Sequence, residues 1–124
     1  MSLFTAGVRK INGEGEVSVT IEVVRGSEFH MKYEPLSPSG VRSTDGHVIE
    51  PGPMCLSGAR YARRIFPLDQ STVLIRGATG TIGAQDGQSL AFATVLAIGR
   101  ALGMEDSIPE RAFEGATGKW EPYS

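Results

Sequence analysis

The chain has 124 residues, one domain's worth and enough to bury a core without disulfides or a structural metal. Hydrophobic residues make up 40% and charged residues 21%, which excludes a disordered chain, a collagen-like repeat and a coiled coil. A net charge of -2 and a pI near 5.7 give no electrostatic reason to expect nucleic acid or an anionic membrane as partner.

The first half reads as β-structure. A strand over 3–11 ends at Asn12-Gly13, a hairpin dipeptide because both central turn positions need positive φ. Over 16–24, Val17, Val19, Ile21 and Val23 alternate with Glu16, Ser18, Thr20 and Glu22, a strand with one wet face. Arg25-Gly26-Ser27 turns the chain. Phe29, Met31 and Tyr33 then mark a third strand over 28–33, with His30 on its wet face. Short turns between these strands predict an antiparallel meander.

Pro35 and Pro38 make 34–40 a loop. Val41 and Val48-Ile49 flank Asp45-Gly46 as a small hairpin, which Pro51-Gly52-Pro53 ends. A helix is predicted over 57–66, with Ser57 as N-cap and Pro67 as its stop. Val73-Leu74-Ile75, apolar on both faces, predicts a central strand. Residues 77–87 form a glycine-rich loop. The main helix runs over 87–102, with Asp86 as N-cap and Gly103 as its stop. A capping box at Ser107-Ile108-Pro109-Glu110 opens a short helix over 107–114. The tail from Gly115 reads as irregular, with Trp120 packing on the body or on a neighbouring subunit. The expected fold is a single α+β domain over 1–124. It has an antiparallel or mixed sheet of about five strands, with two to three helices on one face.

Cys55 has no partner for an internal disulfide and reads as a buried, inert thiol. His30 and His47 lie far apart in sequence, so no metal site is expected. The segment Met1-Ser2-Leu3-Phe4 does not read as a signal peptide. The apolar run Leu90 to Ile98 falls short of the about 20 residues that span a bilayer. A cytoplasmic protein is therefore the default expectation.

The main helix is apolar nearly all round, so it must be covered on more than one side. The last helix and tail, or another subunit, are the expected covers. Ala93, Ala97 and Ala101 make a small-residue stripe, and a homo-oligomer is expected on that ground.

Glycine is over-represented at 16 residues, and the segment from Ser71 to Gly83 reads strand, then G-x-x-G-x-x-G. Locally this resembles the cofactor loop of atypical short-chain dehydrogenase-like proteins, the NmrA-like group. The resemblance implies a tight glycine turn against a pyrophosphate at a helix N-terminus. It covers about 13 residues, and nucleotide-cofactor binding through GATGTIG is a minor alternative. The 41 residues after Gly83 leave no second strand with an acidic residue for the ribose, so no cofactor is expected. A P-loop lysine is absent as well.

A polar glycine loop between a strand and a buried helix still suits a small anion. Its candidate ligand-binding residues are Arg76, Gly77, Thr79, Gly80, Thr81, Gly83 and Gln85. Packing is the competing reason for the glycines. Candidate catalytic residues are His47, with Glu50 three residues on, and Asp86. Arg60, Arg63 and Arg64 share a helix face, where they would hold an anion or simply meet solvent.

Two functions follow. One is a small homo-oligomeric protein that binds an anionic ligand at 77–87, in which Gly80→Val abolishes binding at little cost in folding. The other is a non-catalytic assembly or interaction subunit whose loop is purely structural.

Overall fold

The computed structural model describes residues 2–83, 85–109 and 119–123. The strands are β1 (Phe4–Lys10), β2 (Glu16–Arg25), β3 (His30–Tyr33), β4 (Gly40–Ser43), β5 (Ser71–Ile82) and β6 (Trp120–Pro122). The helices are α1 (Gly52–Ile65) and α2 (Gln88–Leu102), followed by a 3-10 turn over Glu105–Ser107. The fold is α+β with one mixed six-stranded sheet in the order β3-β5-β2-β1-β6, and β4 also pairs with β5.

The β1–β2 hairpin forms as the sequence predicts, and Asn12 takes positive φ (56°) in its turn. Val17, Val19 and Ile21 are fully buried, so the alternation in β2 marks the core face.

The meander does not continue. β5 lies between β2 and β3, antiparallel to the first and parallel to the second. β4 is also parallel to β5, beside its second half. The cause is α1, which carries the chain back before β5 begins. Two strands joined by a helix crossover end up parallel. β3 and β4 thus share one edge of β5. The segment between them is tied on by the Glu34 N–H to the Ile75 carbonyl (3.0 Å) and the Leu36 N–H to the Arg76 carbonyl (2.9 Å).

Helix α1 starts at Gly52, with Pro51 as its N-cap and a proline in the first turn. Pro51-Gly52-Pro53 therefore opens the helix rather than closing the hairpin. Proline is tolerated there because first-turn N–H groups have no intrahelical acceptor. Ser57 lies inside the helix. Cys55, Gly58, Ala59 and Ala62 are buried.

Every residue of α2 from Ser89 to Gly99 is buried. The helix packs on β1 and β2 on one side and on α1 on the other. The second cover is thus α1, and Ala93 and Ala97 are fully buried within the single chain. Gly103 closes the helix in the left-handed region (φ 67°), and the Met104 N–H returns to the Gly99 carbonyl at 2.8 Å. At the other end the N-cap is Gly87, not Asp86. The Asp86 carbonyl accepts from the Ser89 N–H (3.0 Å) and hydroxyl (2.7 Å).

Ser107 ends the 3-10 turn instead of opening a helix, Ile108 and Pro109 are not helical, and the rest of the predicted last helix, 110–114, lies outside the described residues. The described part of the tail, 119–123, contains a strand where the sequence suggests irregular structure. β6 pairs with β1, and Trp120 is buried against the body. No helix among the described residues is long and apolar enough to cross a membrane.

Candidate functional site

Gly77 to Ile82 form the second half of β5 instead of a loop. They pair with β2 on one side and, from Thr79, with β4 on the other. Their backbone groups belong to the sheet ladder, so this stretch makes no anion nest and no glycine turn of the dehydrogenase-like kind. Gly80 has φ +129°, and a Cβ on it would stand 2.0 Å from the Glu16 carbonyl oxygen. That glycine exists for strand packing.

The β2–β5 register slips between Thr20 and Ile21, opposite Gly77 and Ile75, which leaves Arg76 as the extra residue of a bulge. Its side chain lies between two carboxylates. Nε is 3.5 Å from Glu22 Oε1, and Nη1 is 3.7 Å from Glu34 Oε1 and donates to the Glu34 carbonyl at 3.3 Å. Arg76 and Glu22 side chains are 15% and 11% exposed, so the pair is largely withdrawn from water. Arg76, Gly77 and Thr79 line a basin of about 280 Å³ together with Ser18, Thr20 and Ser37.

A larger cleft, about 510 Å³, opens at the far end of β5. Ile49, Met54, Ile82 and Leu90 wall it, and Gly83 and Gly87 bring backbone to its surface. Ser43, Asp45 and His47 stand at its polar side. Four parts of the chain meet here: the turn after β4, the start of α1, the end of β5 and the start of α2.

The expected residues therefore divide. Arg76, Gly77 and Thr79 meet at the basin, and Gly83 and His47 at the cleft. Gly80, Thr81 and Gln85 line neither of the two. The Asp86 carboxylate is bound by Lys10 Nζ at 3.0 Å.

The carboxylate beside His47 is Asp45, not Glu50, with Nε2 3.7 Å from Oδ2. Ser43 donates its hydroxyl to Asp45 and accepts the His47 backbone N–H at 3.0 Å. This is the wiring of a tight turn. The serine proton is held by the carboxylate of its own turn, and the His47 ring is directed at that carboxylate instead of at the hydroxyl. His30 pairs with Glu28 at 3.2 Å on the exposed edge.

The arginine face of α1 does not converge. Arg63 reaches Asp69 and lies over the Phe29 ring, whereas Arg60 and Arg64 border a shallow recess of about 200 Å³ beside Tyr61. Burial pushes the Cys55 thiol up to about 11, and a hydrogen bond with Thr94 pulls weakly the other way. Cys55 is buried, as its apolar neighbours suggest, and burial favours its neutral thiol form. No cluster of three metal-ligating side chains occurs among the described residues.

Sequence reasoning missed Ile49, Met54, Ile82 and Leu90 as cleft walls. The available signal was the proline at the start of α1, which sets Met54 on the first helical turn. No protein-family model and no curated protein matches the chain.

Proposed function

We propose that this protein binds a small molecule with a mainly apolar body in the cleft between the β4 turn and the first turns of α1 and α2. The observation that carries the reading is the cleft itself. It is a concave space of about 510 Å³ with four large apolar side chains as walls and a few polar groups gathered on one side. Binding sites for small molecules commonly have this build and size. The polar groups are arranged as a turn and not as a nucleophile with its base, which favours binding over catalysis. A native mass spectrum of freshly purified protein tests this. A reproducible added mass, lost in Met54→Trp, supports the reading. An added mass retained in that variant contradicts it.

The small-anion reading keeps one supporting observation at the basin. Arg76 Nε is buried and has no hydrogen-bond partner among the described residues, and buried donors normally find an acceptor. Hydroxyls of Ser18, Thr20, Ser37 and Thr79 surround the basin. Phosphate would raise the melting temperature above that in chloride at equal ionic strength if this reading holds. Self-association, if present, is best supported on the same side, where Leu3 and Leu36 border the basin and are exposed. Leu36→Glu would then lower the sedimenting mass.

A further inference from the structure

We propose that the occupant of the cleft carries a cationic group, such as a protonated amine, on its apolar body, with Asp45 as counter-ion. This rests on the reading of the cleft as the binding site and adds the ligand's charge to it.

Among the described residues no lysine or arginine lines the cleft, whereas Asp45 does. Its carboxylate accepts the Ser43 hydroxyl through Oδ1 and lies 3.7 Å from His47 through Oδ2. Oδ2 therefore has room for a further donor. A second carboxylate lies next to Gly83, a lining residue, although it does not itself line the cleft. Asp86 Oδ2 is 2.9 Å from where a Cβ on Gly83 would be, and its charge is offset by Lys10. That lysine is thereby engaged and not free to hold an anion.

Several donors near the cleft are already engaged. The Ser43 proton points at Asp45. The Ser89 and Leu90 N–H groups return to the carbonyls of Asp86 and Gly87. Asp86 immediately precedes the α2 N-cap, where a carboxylate offsets the positive end of the helix. An anion entering the cleft would face the Asp45 carboxylate with no lysine or arginine lining the space among the described residues. An ammonium would meet Asp45 while its chain lies on Met54, Ile82 and Leu90.

The test compares three probes of equal length on the full chain: n-octylamine (protonated at pH 7.5), octan-1-ol and octanoate, at matched ionic strength. A unit charge about 4 Å from Asp45 in high dielectric predicts that octylammonium binds about fivefold tighter than octan-1-ol. Octanoate should bind more weakly than either. Asp45→Asn should bring the octylammonium affinity down to that of octan-1-ol. His47→Lys, which sets a fixed cation beside Asp45, should do the same without touching the carboxylate. Octanoate binding as tightly as octylammonium would overturn the charge assignment, as would a preference that survives Asp45→Asn. Octan-1-ol binding in either case would leave the cleft reading standing. If none of the three binds, the cleft reading fails and the charge assignment falls with it.

Discussion

A Cβ on Gly58 would stand 2.5 Å from the Ala91 carbonyl oxygen and 3.0 Å from the Ala91 Cα. Both obstacles are backbone, so neither can swing aside. The glycine is what allows α1 to lie on α2, and that contact also sets Met54 at the mouth of the cleft. Gly58→Ala is expected to destabilise the fold by about 1–3 kcal/mol through overpacking. Urea unfolding monitored at Trp120 checks this. An unchanged midpoint would mean that the helices are farther apart than described.

Gly77 and Gly80 belong to one glycine motif but have opposite constraints. Nothing lies within 4 Å of a Cβ added at Gly77. At Gly80 both the positive φ and the Glu16 carbonyl exclude one. Gly77→Ala should change stability by less than about 0.5 kcal/mol, and Gly80→Ala should cost several times more. Gly80→Val should compromise folding itself, contrary to the expectation of a permissive loop. Equal effects of the two alanine variants would contradict the β2–β5 register.

Burial holds the Cys55 thiol up at about 11, from its ordinary 9.0. Between those values the unfolded chain has released the proton and the folded one keeps it. Stability from this group is therefore intact below pH 9 and falls as pH rises toward 11, by roughly 2–3 kcal/mol in all. The Tyr33 hydroxyl is also raised, chiefly by burial and then by Cys55 and Glu50, and adds a loss of the same sign. Chemical unfolding between pH 8 and 11 should show this slope, and Cys55→Ala should flatten it. An equal slope in that variant would remove Cys55 as the cause.

Arg76→Met leaves Glu22 with its carboxylate 11% exposed and no nearby guanidinium. Breaking such a pair from one side costs about 3–5 kcal/mol when burial is complete, and somewhat less here. The double variant Arg76→Met/Glu22→Leu should recover most of the loss. A double variant no better than the single would mean that Arg76 acts through its hydrogen bond to Glu34 instead.

Local features of this fold are legible in the sequence. The β1–β2 hairpin follows from Asn12-Gly13 and from the alternation of Val17, Val19 and Ile21. The end of α2 follows from Gly103. Each of these is decided within a few residues. The parallel pairing of β3 and β4 with β5 is decided by a helix crossover, and no short window contains it. Two local signals also point the wrong way. Pro51-Gly52-Pro53 has the composition of a terminator yet opens α1. The glycines of 77–83 suggest a loop, but Ala78 and Ile82 face the core and Gly80 admits the close approach of β2. For the cleft, the sequence offers His47, Gly83 and Gly87. Its apolar walls come from four separate segments, and only the fold brings them together.

The central claim is that the cleft is the binding site, and methyl-resolved NMR during titration with octan-1-ol tests it most directly. Saturable shifts are predicted for the methyls of Ile49, Met54, Ile82 and Leu90, with those of Leu3 and Leu36 at the basin unmoved. Met54→Trp should abolish them. Shifts confined to Leu3 and Leu36, or no saturable shift at any methyl, would contradict the account.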